Sequence, residues 1–142
     1  MPLFSSRLAV SGLLGLALAS PAAALSVLPR QSSWVACHNG LLCVRAPCPS
    51  TNALNLETGE VQTIHRADLS RLSPADQAAA LEENALWSGT RVVEGEILTR
   101  EVSFGGRAEP EVSLVVSALG RAAAEAESAA CKAEGSRFPP PS

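Results

Sequence analysis

The residues of this chain whose types and spacing point to chemistry are four cysteines, two histidines and a few carboxylates. Cys37, Cys43, Cys48 and Cys131 act either as thiolates or as half-cystines. As thiolates, with His38 and His65, they would form a metal site. Zinc sites favour cysteine pairs separated by about two to four residues. The spacings here are C-x5-C and C-x4-C, so the metal pattern is poor, and no C-x-x-C redox pair occurs. As half-cystines the four give two disulfides, with three connectivities to choose from. His65, Asp68 and Ser70 supply the letters of a Ser-His-Asp set, but no G-x-S-x-G elbow places a nucleophile. Glu94 and Glu96 share one face of a strand. Between Arg91 and Arg100 they read as solvated cross-strand charge, not as an acid–base pair with split pKa values. Gly105-Gly106 lacks the lysine and the strand–loop–helix setting of a phosphate loop. Arg45 precedes Ala46-Pro47-Cys48-Pro49-Ser50, where two prolines fix φ and remove donors. A cation on a rigid loop is a candidate partner contact. No residue is assigned a catalytic, cofactor-binding or metal-binding role.

The compartment decides between thiolate and disulfide. Residues 1–24 read as a secretory signal: Arg7, an apolar run from Leu8 to Leu18, Pro21, then Ala22-Ala23-Ala24 with cleavage after Ala24. The run is too short to span a bilayer, which takes about 20 apolar residues. An exported chain with an even number of cysteines favours two bridges. The mature part, Leu25 to Ser142, is expected to be one domain at residues 25–135 followed by a flexible tail at 136–142. Without Arg7 it has ten Lys and Arg against 14 Asp and Glu, a net charge of −4. That balance, with the arginines scattered, argues against nucleic acid or an anionic membrane as partner. Trp34, Trp87, Phe104 and Phe138 are its only aromatics, too few for stacking platforms.

The elements that must position these residues follow from periodicity. Trp34 to Val44 carries Asn39-Gly40 between apolar runs, a strong hairpin signal of type I′. In that hairpin Cys37 and Cys43 point to opposite faces and cannot bond. Two pairings remain: Cys37–Cys48 with Cys43–Cys131, or Cys37–Cys131 with Cys43–Cys48. The first is favoured because it ties the Pro47-Cys48-Pro49 segment back to the strand. Residues 52–56 and 61–64 form a second hairpin around Glu57-Thr58-Gly59-Glu60. Ser73-Pro74-Ala75-Asp76 starts a helix that runs to Ser88 with Gly89 at C′. Its stripe is Ala78, Leu81, Ala85 and Leu86, with Trp87 closing the core. Thr90 to Phe104 is a long strand, and a switch of parity between Ile97 and Leu98, close to Gly95, predicts a bulge. A loop over Gly105-Gly106 and Glu109-Pro110 leads to an alternating strand at 112–118. An Ala-rich helix follows from Arg121 to Ala133, held to the sheet by a bond from Cys131. Short hairpin connections predict an α+β fold: a small antiparallel, curved or partly barrel-like sheet with one or two packed helices.

Cys43-Val44-Arg45-Ala46-Pro47-Cys48-Pro49-Ser50, with Asn55-Leu56-Glu57-Thr58-Gly59, Ala67-Asp68-Leu69-Ser70 and Val93-Glu94-Gly95-Glu96-Ile97, resembles small exported bacterial domains of unknown function. The resemblance implies a periplasmic or extracellular product with a cysteine framework, and carries no site residues. The expected function is that of an exported, disulfide-stabilised, non-enzymatic domain that binds a protein or small ligand or serves structurally. It needs no cofactor and has no membrane contact once the signal is removed. The alternatives are a protease-inhibitor-like protein using the Arg45–Ser50 loop, and a metal-binding protein using Cys and His. Oligomeric state is left open.

Overall fold

Strand propensity and helix caps divide residues 31–135, the part of the chain that the computed structural model describes, into six strands and three helices. The signal, its cleavage site and the tail lie outside the described residues. The strands are β1 (Ser32–His38), β2 (Thr51–Asn55), β3 (Val61–Ile64), β4 (Arg66–Asp68), β5 (Gly89–Phe104) and β6 (Arg107–Ala122). The helices are α1 (Pro74–Glu82), α2 (Ala85–Ser88) and α3 (Glu125–Gly135). They form one mixed sheet in the order β3-β2-β1-β5-β6-β4, with every pair antiparallel except β4 and β6. The sheet is curved and not closed. Its two outer strands, β3 and β4, are separated in the chain by His65 alone. The His65 N–H donates to the Val112 carbonyl at 2.8 Å, and its Nδ1 accepts from the Val112 N–H at 2.9 Å. This corner draws the two edges toward each other without a ladder between them.

Alternation along β1 sends residues to both faces, and both are buried. Trp34 and Ala36 pack with Ala53, Ile64, Val93, Leu114 and Val116 beneath Leu69, Leu72 and Leu86. Val35 and Cys37 pack on the other face with Leu54, Val92 and Cys131 of α3. Each fully buried Val or Ile contributes about 1.5–3 kcal/mol. The Trp34 indole N–H donates to the Gly95 carbonyl at 3.1 Å, so the one large ring of the core leaves no polar atom unpaired.

The β5–β6 ribbon supplies the curvature. Its register shifts twice, between Arg91 and Val93 and between Glu94 and Gly95, and the extra residues lie on β6. Bulges of this kind increase twist. At the second, a Cβ on Gly95 would stand 2.4 Å from the Val115 carbonyl oxygen, so only glycine fits. The bulge therefore lies at Gly95 and not at Ile97–Leu98. Beyond Ile97 no residue of β5 is buried, so its parity there reports no core face. Gly105 and Gly106 have φ of 58° and 79° and alone make the turn that pairs Phe104 with Arg107. The loop expected around Glu109-Pro110 is strand. Pro110 pairs with Glu101, beyond the reach of β4, where one side of β6 is open and a missing N–H is tolerated.

Further expectations change. The last helix starts at Glu125 and not at Arg121, because β6 runs on to Ala122 in pairing with Arg91. The Trp34–Val44 hairpin does not form: β1 pairs with β2, placing Ala36 against Ala53 and Val35 against Leu54. That partner buries side chains on both faces, whereas the run 41–44 is too short and meets the prolines at once. The helix at 73–88 is two pieces. Ser73 caps α1, its Oγ accepting from the Asp76 N–H at 3.1 Å, and Pro74 sits at the start as the sequence indicates. The left-handed Asn84 (φ 51°) then breaks the helix, turning Ala85 and Leu86 into the core while Leu81 stays exposed. The disulfides are Cys37–Cys131 and Cys43–Cys48, the pairing not favoured from the sequence. With β2 beside it, Cys37 faces α3 and not the proline loop.

Candidate functional site: the clipped loop and its surroundings

Asn39, expected in a tight turn, instead anchors a ten-residue excursion from Gly40 to Pro49. Its N–H donates to the Ser50 carbonyl at 3.0 Å and its side-chain amide to the Pro49 carbonyl at 2.9 Å. Its Oδ1 accepts from the Leu41 N–H at 3.0 Å. Below it, buried Asn52 donates to the Cys131 carbonyl at 3.0 Å, tying the loop's foot to α3. Cys43–Cys48 closes the excursion with Cα atoms 5.6 Å apart. Inside the closed segment Val44, Arg45 and Ala46 are exposed, and Leu42 just outside it is 87% exposed. Arg45 and Ala46 line an open concavity with Phe104, Gly105 and Arg107 at the tip of the β5–β6 hairpin.

On the opposite side of the loop's foot, the His38 ring stacks on Trp87 with centroids 3.7 Å apart. Trp87 is therefore a half-exposed surface ring and not the lid of the core. It borders a groove of about 260 Å³ between α1–α2 and the His65 corner, walled by Leu69, Ala80, Leu81 and Leu86.

The residues that invited catalytic readings do not form a catalytic set: Asp68 meets Ser70, while His65 spends its hydrogen bonds on Val112. The His65 Nδ1 is occupied by the Val112 N–H. Asp68 accepts from the Ser70 N–H at 2.9 Å and meets Arg66 and Arg100 at 3.6 and 3.3 Å. The Ser70 backbone and hydroxyl, then the two guanidinium groups, outweigh partial burial and hold the Asp68 carboxyl below its usual range. Glu111 bridges Arg66 and Arg100 at 3.2 and 3.5 Å, completing a structural charge network on β4–β6. Glu94 accepts from the Ser33 hydroxyl at 2.8 Å, and Glu96 pairs with Arg71 at 2.6 Å. The two acids thus serve separate partners. All four cysteines are bridged, which removes the thiolates that a Cys/His metal site requires. Among the described residues no three His, Cys, Asp or Glu converge on a metal position.

Sequence reasoning singled out Arg45 but missed Phe104, Arg107, Asn39 and Asn52. Only the Asn39-Gly40 dipeptide gave a local signal, and it pointed to the wrong turn. No family model, curated protein or solved structure matches the chain. None of the described helices is long and apolar enough to cross a membrane. Two disulfides fit an oxidising, non-cytoplasmic compartment.

Proposed function

We propose that this disulfide-stabilised domain is an exported, non-enzymatic binding module that presents the Cys43–Cys48 loop to a protein partner. The observation that carries the reading is the exposure of Leu42 and Val44 on a loop closed by its own bridge. Apolar side chains left in water gain free energy when covered. A loop already ordered by a covalent clip loses little entropy on docking. The signal at residues 1–24 supports a periplasmic or extracellular place of work. The test is a photo-crosslinking amino acid at position 44 of the protein as exported by its own cells, with position 60 as control. A discrete adduct from position 44 alone, lost when Cys43 and Cys48 are both serine, is expected. Equal adducts from both positions would overturn the reading.

A second reading has its own observation: Arg45 is exposed between two half-cystines. A closed loop offering arginine is a form in which a trypsin-like protease is inhibited. Stoichiometric inhibition that disappears with Arg45→Ala would establish it. Cleavage after Arg45 without inhibition would dismiss it.

A further inference from the structure

Arg45 and Arg107 lie far apart in sequence, yet both line one open concavity of about 500 Å³. The clipped loop forms one wall, and the Gly105-Gly106 turn of the hairpin forms the other. Phe104 adds an aromatic edge, and no acidic residue lines the hollow.

The arginines of this domain are otherwise matched to acids. Arg66, Arg71, Arg91, Arg100 and Arg121 each have a carboxylate within 3.4 Å. Arg107 meets only Glu109, at 3.5 Å, in an exposed pair two residues along its own strand. Arg45 forms no ion pair among the described residues. The hollow is therefore left with an uncompensated positive charge in a protein whose overall charge is −3. A guanidinium presents a planar fork of donors that fits a carboxylate bidentately. Two such groups and a ring suit an acidic side chain with apolar neighbours. They are too few for a polyanion, which needs a stripe of cations.

We infer that the Arg45–Arg107 hollow recognises a carboxylate of a protein partner, an aspartate or glutamate flanked by apolar residues. The inference rests on the Cys43–Cys48 loop being the contact element and names the chemistry that it meets. Leu42 and Val44 are exposed on the same loop, Phe104 and Ala46 line the hollow beside the apolar flanks, and the guanidinium groups take the charge.

The probe is a blocked tetrapeptide of sequence LEEL, titrated into the intact protein while the arginine Nε–H signals are followed by NMR. Saturable shifts of Arg45 and Arg107 are expected. The glutamine counterpart LQQL should bind about tenfold more weakly, the size of effect that loss of one charge-assisted hydrogen bond produces. Arg45→Ala and Arg107→Ala should each weaken LEEL by a similar factor, and Arg107 lies outside the loop, so that variant leaves the clip intact. Shifts absent from both arginines, or equal binding of LQQL, would overturn the inference. So would inorganic phosphate binding the same pair more tightly than LEEL, because the hollow would then take a bare anion. If LEEL fails while crosslinking from position 44 persists, the carboxylate assignment alone falls. If LEEL saturates and crosslinking fails, the loop's role as partner contact falls instead.

Discussion

Cys37–Cys131 joins β1 to α3 across 94 residues and both of its cysteines are fully buried, whereas Cys43–Cys48 spans five residues in a loop that stands in water. The first closes a region where every neighbour is committed: Val35, Leu54 and Val92 pack around it, and Asn52 holds the Cys131 carbonyl. The second closes a region with unmet capacity: apolar side chains without cover and an arginine without an acid. One bridge stabilises the fold, and the other orders a surface. The contrast teaches that two bridges in one small domain can do different work, because the constraint a bridge puts on the unfolded chain grows with the logarithm of the loop it closes.

Breaking each bridge in turn tests that division. Replacing Cys37 and Cys131 by alanine should have the largest effect, a loss of about 4–5 kcal/mol from releasing a loop of this length. Denaturant unfolding reads it, and a loss below that for the short bridge would erase the contrast. Opening Cys43–Cys48 with a double serine variant should remove about 2 kcal/mol by the same reasoning, with crosslinking at position 44 lost. The scaffold side can be probed without touching sulfur. Gly95→Ala forces a Cβ against the Val115 carbonyl at 2.4 Å and should cost about 1–3 kcal/mol, seen as a lower Tm with no change at the loop. Val44→Asp, on the loop, should leave unfolding within about 0.5 kcal/mol of the parent while reducing partner capture.

Acid should act on the scaffold alone and least of all. The Arg121 guanidinium and the Ala124 N–H hold Glu127 down at about 2, and Asp68 is also depressed. Groups with lowered folded values contribute stability that is complete above the unfolded range. That contribution is lost as pH falls through the folded value. Tm should therefore decline as pH falls below about 5, through the unfolded carboxylate values toward the folded ones, and Asp68→Asn with Glu127→Gln should flatten the decline. No carboxylate pairs with Arg45 among the described residues, so the loop has no matching acid dependence of its own.

Much of the scaffold is legible in the sequence where local and global preferences agree. Ser73-Pro74 starts its helix, Gly59 closes the β2–β3 hairpin, Gly105-Gly106 turns the long ribbon, and Cys131 fastens α3. The errors cluster where a strong local signal meets a stronger distant one. Asn39-Gly40 favours a type I′ turn, but β2 buries both faces of β1 and wins the pairing. Leu81 follows the helical stripe, but the break at Asn84 turns the core-facing side to Ala80 and Ala85.

The sequence by itself determined the α+β class, an even set of four cysteines, and Arg45 on a proline-stiffened loop. Composition, period and spacing act over a few residues, and those features need no more. Which cysteines bond, how His65 draws the sheet edges together and how Arg45 comes to share a hollow with Arg107 were decided only by the tertiary structure. Each depends on which face of β1 meets which partner, and that choice rests on burial summed over segments up to 94 residues apart.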